Sequence, residues 1–367
     1  MNKQEFIFAL ALQDAKGIGC ITAKKLISIY GSAINLYEAF LQKKVKDDVS
    51  LKLLSRLFTK ESIKNAQYEI ERAFDKGLEV LYFKQDGYPK YLLNCADGPL
   101  LLFQDGGKQI NNHLKIISIV GTRNISNYGR DFCKELIVSL KEHQPLVVSG
   151  YAFGVDICAH LEALKNNIPT LAVLAHGFGR LYPKEHKQFY GELKESGGFL
   201  SEFTHDEPPY KKNFLKRNRI VAGISQATII IESAQKGGSL VTADIANSYN
   251  KDVFAVPGRI HDTYSKGCNN LIKIHKAALI TSGEDLIRQL GWQKNTNSLK
   301  KNIQPQLFVE LEGEEKIVYN LLENASLHVD EISRTVNIPI YKISNCLFQL
   351  EMKGLIQVLP GKLVKRI

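Results

Sequence analysis

The chain contains no run of 18 or more apolar residues, so no stretch of it is expected to span a bilayer as a helix. The short apolar stretch in MNKQEFIFALALQDAKG is followed by no small-residue cleavage site and is not read as a signal peptide. The six cysteines (Cys20, Cys95, Cys133, Cys158, Cys268 and Cys346) are dispersed and never at CxxC spacing, which leaves no zinc or redox signature. Isolated buried thiols in a reducing cytoplasm are the expectation. No GxGxxG opens the first strand–helix unit, so a dinucleotide site is unsupported, and a GxxxxGKS/T phosphate loop is absent. No cofactor and no metal is expected.

What the 367 residues do carry is positive charge: 48 Lys and Arg against 38 Asp and Glu, a formal net charge of +10. An excess of that size points to an anionic partner, nucleic acid or a membrane surface, without choosing between them. With 44% hydrophobic residues the composition is globular, and the length leaves room for two or three domains at ~150 residues each.

Residues 1–80 read as helical. Within them AKGIGCITAKKLISIYGS turns at Gly17-Ile18-Gly19, with Lys24 and Lys25 near the start of the next helix. This resembles a helix-hairpin-helix, whose glycines free backbone N–H groups for a phosphate. A plain αα-hairpin with a glycine turn fits the same residues. Over residues 81–290 short apolar, branched runs alternate with helical segments. The strands are expected near Leu78–Phe83, Leu100–Phe103, Ile116–Val120, Leu146–Ser149, Thr170–Leu174, Phe199–Leu200, Thr228–Ile231, Val253–Val256 and Ala278–Ile280. That order predicts an α/β fold with a doubly wound parallel sheet and helices on both faces. Residues 291–309 are polar and read as a linker. Residues 310–367 give three helical segments, the second capped by Asp330, and then a hairpin turning at Pro360-Gly361. This is winged-helix order. The third helix, Ile340 to Lys353, would be the recognition helix, offering Lys342, Asn345, Gln349 and Lys353. A protein-interaction or packing module fits it equally.

The stretch richest in chemistry is Phe203 to Arg219, FTHDEPPYKKNFLKRNR. Pro208 and Pro209 exclude a helix where they stand and force an extended entry. Behind them come Lys211, Lys212, Lys216, Arg217 and Arg219, with Tyr210, Phe214, Asn213 and Asn218 interleaved. Cations for phosphate, a ring for a base and amides between them are the chemistry of a single-strand binding surface. A solvated basic loop leading into an ordinary helix is the bland alternative.

In an open parallel sheet, ligands bind beyond the carboxyl ends of the strands. The residues that follow four of the expected strands are Gly121-Thr122-Arg123-Asn124, Gly150-Tyr151-Ala152-Phe153-Gly154, Ala175-His176-Gly177-Phe178-Gly179, and Glu232 with Lys236-Gly237-Gly238-Ser239. Four glycine turns on one edge, with Arg123 and the basic segment nearby, predict a groove that holds phosphates without reading bases. Catalytic groups are scarce. His160, His176 and His186 have no nucleophile at a recognisable spacing. Asp156 and Glu202 are expected to pair with Arg or Lys, Arg217 and Arg219 among them, rather than to do chemistry.

Taken together, IVGTRNISNYG, SGYAFGVDICAHLEAL, LAHGFGRLYP, SEF, NFLKRNRIVAGIS, ESAQKGGSLVTADIA and FAVPG closely resemble the DNA-processing protein A (DprA/Smf) family, in order over about Tyr88 to Leu290. The resemblance implies an extended Rossmann-like fold, flanked in longer members by a sterile-alpha-motif-like N-terminal domain and a C-terminal winged helix. It implies a homodimeric, non-enzymatic protein that binds single-stranded DNA regardless of sequence. Such a protein protects incoming DNA in natural transformation and loads the RecA recombinase on it. Carried over by motif, phosphate contacts fall on Arg123 and Lys211, a base lies against Phe214, and Asn218, the flanking glycines and Ser239 complete the pocket. The full set expected to touch DNA is Gly121, Thr122, Arg123, Gly150, Lys211, Asn213, Phe214, Arg217, Asn218, Arg219, Gly237, Gly238 and Ser239. The chain departs from the family at Ile157 after GVD, at Gly267-Cys268-Asn269 and at Lys276-Ala277. Two other classes stay open: a Rossmann enzyme cleaving nucleoside monophosphates, and a transcription regulator using the winged helix.

Overall fold

The computed structural model describes residues 3–15, 17–44, 54, 57–107, 110–292, 311, 313–323, 326–359 and 361–366. These form two compact units, Met1–Leu279 and Ile280–Ile367. The expected linker 291–309 falls almost wholly outside the described residues, as does Pro360 of the expected hairpin turn.

The first unit opens with helices α1 (Lys3–Gln13), α2 (Cys20–Tyr30), α3 (Ala33–Leu41) and α4 (Lys60–Asp75). Phe6, Phe8, Leu10 and Leu12 of α1 are buried, in one core with Leu36, Ile70, Val80, Tyr82, Leu101 and Phe103. A buried carboxylate fixes this arrangement. Glu5 accepts from the backbone N–H groups of Ala33 (2.8 Å) and Ile34 (3.0 Å) at the start of α3, and from the Tyr82 hydroxyl (2.6 Å). The N-terminus of α3 gains the anion its exposed N–H groups favour, and no buried donor is left over. Gln13 makes the second tie, bonding the backbone of Leu101 in both directions and donating to Glu202 O. Lys24, a candidate phosphate contact of the glycine hairpin, instead donates to Cys95 O at 3.2 Å.

The sheet and its helices follow as β1 (Glu79–Tyr82), α5 (Lys90–Leu93), β2 (Leu101–Asp105), β3 (Ile116–Val120), α6 (Asn127–Ser139), β4 (Leu146–Ser149), α7 (Val155–Lys165), β5 (Thr170–Val173), α8 (Tyr190–Ser196), β6 (Phe199–Ser201), α9 (Lys211–Ile224), β7 (Ala227–Ile230), α10 (Gly238–Ser248), β8 (Asp252–Ala255), α11 (Lys266–Lys273) and β9 (Ala278–Leu279). Strand order is β1-β2-β6-β5-β4-β3-β7-β8-β9. From β6 through β9 every pair is parallel, as expected. The edge differs: β2 runs antiparallel to both β1 and β6. Apolar runs of this kind carry no direction, so the sequence does not distinguish the two.

All five residues of β3 are buried, which explains its unbroken IISIV pattern: helices cover both faces. Its one polar side chain, Ser118, is satisfied by donating to Val221 O of α9 at 2.6 Å. The chain leaves β3 toward β4, β5 and β6, then returns to place β7 on the other side of β3. The switch in strand order therefore lies between β3 and β7.

The second unit holds α12 (Gly283–Gln289), α13 (Gly313–Leu321), β10 (Leu327–His328), α14 (Val329–Val336), α15 (Ile340–Met352), β11 (Ile356–Leu359) and β12 (Leu363–Arg366). The strands pair in the order β10-β12-β11, giving the winged-helix pattern. Val318, Ile332, Ile343, Leu347, Leu350 and Val364 form its core. Helix α14 is capped by His328, whose Nδ1 accepts from Asp330 N at 3.2 Å, and not by the Asp330 side chain.

Candidate nucleic-acid interface

A cleft of about 430 Å³ opens at the carboxyl ends of β3, β4 and β7, at the switch in strand order. Gly121, Thr122 and Arg123 line it after β3, Gly150 and Ala152 after β4, and Ser233, Ala234, Gly237, Gly238 and Ser239 after β7. Helix α9 forms the facing wall with Lys211, Phe214, Leu215, Arg217, Asn218 and Val221. The spacing 211, 214, 218, 221 is one face of a helix. That face exists because the helix starts at Lys211, straight after the extended Pro208-Pro209-Tyr210 entry.

The third glycine turn does not line the cleft. It braces the loop that delivers α9: Gly177 N donates to Glu207 O (2.9 Å) and Gly179 N to His205 O (2.7 Å). A Cβ at Gly177 would lie 1.8 Å from Thr204 O, so the approach requires glycine.

The structure sorts the basic run by partner. Lys216 and Arg219 both bind the Glu202 carboxylate, at 3.0 and 2.5 Å. Lys212 lies over the Tyr210 ring at 5.5 Å. Arg217 is buried beneath the cleft, donating to Val173 O at 2.6 Å, with Asp156 as its counter-charge. Its Nε is buried with no hydrogen-bond partner, and its guanidinium packs against Gly150, where a Cβ would come within 1.9 Å of it. Burial pushes the Asp156 carboxyl up from the ordinary carboxylate range, and Arg217, Ala152 N and Ser149 pull it back.

Of the cations that line the cleft, Lys211 and Arg123 make no ion pair among the described residues. The Arg123 guanidinium rests over the Phe214 ring, 5.0 Å from its centroid. The loop carrying it is held by Thr122 N donating to Glu232 O at 2.7 Å, while the Glu232 carboxylate caps α6 through Ser126.

Ten of the thirteen expected contact residues line the cleft beyond question of register: Gly121, Thr122, Arg123, Gly150, Lys211, Phe214, Asn218, Gly237, Gly238 and Ser239. Arg217 lines it from below. Asn213 and Arg219 do not. Asn213 is buried and donates to Glu207 and to Pro208 O, bracing the entry loop. Arg219 is spent on Glu202 and Asp97 O. Ser239 lines the cleft with its hydroxyl already donated to Ser233 Oγ. Tyr182 is an unforeseen neighbour, edge-on to Phe214 with centroids 5.9 Å apart and more than a third exposed. No local pattern connects it to α9, since it arrives on a different loop. His160, His176 and His186 lie outside the cleft lining, and burial pushes all three below the usual imidazole range, His160 to about 3.

In chemical terms the cleft offers glycine backbone, the N-termini of α7, α9 and α10, two unpaired cations and a pair of rings. Helix N-termini and open amides hold phosphate oxygens, and a ring face accepts a base. Gly238, at the first turn of α10, has nothing within 4 Å of where a Cβ would stand, so its backbone is open to a ligand.

Comparison with known proteins identifies the family. The model of the DNA recombination-mediator protein A family matches residues 79–291, and that of the DprA winged helix domain matches residues 304–362. DNA processing protein DprA of Bacillus subtilis is 33% identical over 271 residues, covering 70% of this chain and 91% of the relative. The crystal structure of DNA processing protein A from Streptococcus pneumoniae is similar with a TM-score of 0.64 at 29% identity, over 79% of this chain and 98% of that one. DNA processing protein A from Helicobacter pylori, solved for its single-stranded DNA binding mode, aligns at TM-score 0.53 and 29% identity over 59% and 96%. The chain belongs to the DNA recombination-mediator protein A family, the DprA/Smf proteins.

Proposed function

We propose that this protein binds single-stranded DNA in the cleft through its phosphates, independently of base sequence, and passes the protected strand to a RecA-type recombinase during recombination or natural transformation. The carrying observation is the sorting of charge on α9. Arg123 and Lys211 line opposite sides of a glycine-lined cleft and make no ion pair among the described residues, whereas Arg217 is buried beneath it and Lys216 and Arg219 are bound to Glu202. Charge of this kind gives affinity that falls with salt, and backbone N–H groups carry no sequence information. The single-stranded DNA binding of the Helicobacter pylori relative supports the same reading. Phe214 and Tyr182 supply the base platform, with Arg123 leaving the Phe214 ring for a phosphate when a base arrives.

In this reading the protein works in the cytoplasm as a homodimer and carries out no chemical turnover. Asp156 is the sole carboxylate among the described residues lining the cleft, and Arg217 opposes it. An acid–base pair for hydrolysis would need a second group.

The test is binding of oligo-dT, mixed-sequence single strands and duplex across a salt series, with the mass of each complex recorded. Similar affinity for both single strands, well above that for duplex, is expected. Duplex binding as tight as single-strand binding, or release of base from nucleoside monophosphates, would overturn the proposal.

A further inference from the structure

Helix α9 begins without a capping side chain, since Tyr210 at its N-cap makes no side-chain hydrogen bond to the first turn. Where the helix starts is therefore set by the loop before it, residues 204–210, and that loop is held from two sides. On one side the third glycine turn donates to the carbonyls of His205 and Glu207, and Arg180 Nε donates to Asp206 O at 3.3 Å. On the other side stands α4, from the N-terminal helices. Glu69 of α4 accepts from His205 N at 2.8 Å. Arg72 grips the Asp206 carboxylate with both terminal nitrogens, Nη2 lying 3.1 Å from Oδ1. The spacing of three residues puts Glu69 and Arg72 on one face of α4.

The loop passes this hold on to the cleft. Asn213, in the first turn of α9, donates to Glu207 Oε1 and Pro208 O, so the placing of residues 205–208 fixes the placing of the helix start. Lys211 and Phe214 lie in that same turn. The glycine turn clamped against the loop leads on to Tyr182, which meets Phe214 edge-on. Its Phe178 packs against the core built by α1 and α4. The α4 contacts are also of the stronger kind. A two-pronged Arg–carboxylate pair gives direction as well as energy, and a carboxylate accepting a backbone N–H is charge-assisted. Arg72 itself lies over the Tyr68 ring, 5.7 Å from its centroid.

We infer that Glu69 and Arg72 are positioning residues for single-strand binding: from outside the cleft they fix the loop that sets where Lys211 and Phe214 stand against Arg123 and Tyr182. Neither residue lines the cleft, so α4 serves the ligand without touching it. The inference rests on the proposed single-strand function.

Four variants of the full chain test this: Glu69→Ala, Glu69→Gln, Arg72→Ala and, as control, Glu71→Gln, which breaks an α4 ion pair with Lys3 that does not reach the loop. Circular dichroism and thermal unfolding establish that each variant folds. Hydrogen exchange of residues 203–215, measured without DNA, reports the brace. Exchange there should rise several-fold in Glu69→Ala and Arg72→Ala and stay native in Glu71→Gln. Oligo-dT affinity should fall several-fold in the same two variants. It should return in Glu69→Gln, whose amide oxygen still accepts from His205 N. In a Phe214→Ala background the two alanine substitutions should cost less affinity, because a residue they position is gone, whereas a purely stabilising role would cost the same in either background. Native exchange in both alanine variants, unchanged oligo-dT affinity, or a loss equal with and without the Phe214 ring would overturn the inference. A native chain that binds duplex as tightly as single strands would instead overturn the single-strand function, and with it the role given to these residues, even where exchange shows the brace itself intact.

Discussion

Helices α9 and α15 look alike as sequence. Each follows a proline, each carries lysines and asparagine, and each holds an aromatic residue on its outer side. Their surroundings make them opposites. On α9, Glu202 takes up Lys216 and Arg219 on one flank, while Lys211 is left facing Arg123 across a glycine-lined cleft. On α15, the glutamates of α13 take up both Lys342 and Lys353, and what remains outward is apolar. The electrostatic character of a helix is thus set by which of its charges the neighbouring elements have already paired, and a count of lysines does not reveal it.

The contrast can be broken most forcefully at Arg217. Arg217→Met should remove the counter-charge of buried Asp156, costing about 3–5 kcal/mol in denaturant unfolding, with single-strand binding lost as well. Unchanged stability would show that the pair beneath the cleft does not hold it. Gly150→Ala comes next, because its Cβ would collide with the Arg217 guanidinium. Displacing that side chain should cost roughly 1–3 kcal/mol and lower affinity in the same protein preparation. Tyr182→Ala should weaken oligo-dT binding by about 1–3 kcal/mol while leaving the salt dependence unchanged, the signature of a lost ring contact rather than a lost charge. Fluorescence anisotropy at several salt concentrations separates the two. The smallest effect belongs to α15: Lys353→Ala should change stability by no more than about 0.5 kcal/mol, as exposed ion pairs do, and leave single-strand affinity alone.

Much of this was legible in the residues. Runs such as IISIV and LVVS have no polar alternation because helices cover both faces, so they identify buried strands without further help. The double proline fixes where α9 can begin, and from that start Lys211, Phe214 and Asn218 fall on one face. What the residues could not give was partnership. Arg219 and Lys211 are equivalent on paper, and only the position of Glu202 at the end of β6 separates them. Asn213 reads as a phosphate-binding amide until the entry loop folds back onto it. Tyr182 comes from a loop distant in sequence, and His328 replaces Asp330 as a cap because α14 begins two residues earlier than that cap would place it. The antiparallel β1 and β2 were hidden because apolar strand patterns are the same in either direction.

The central claim is that free cations on the α9 side, and not those on α15, hold the strand. The most direct test is the slope of log affinity against log salt for oligo-dT, measured for the native chain, for Arg123→Ala with Lys211→Ala, and for Lys342→Ala with Lys353→Ala. Each lost phosphate contact should flatten the slope by ~0.7, so the first pair should flatten it by about 1.4 and the second should leave it unchanged. Equal flattening by both pairs, or flattening by the α15 pair alone, would contradict the account.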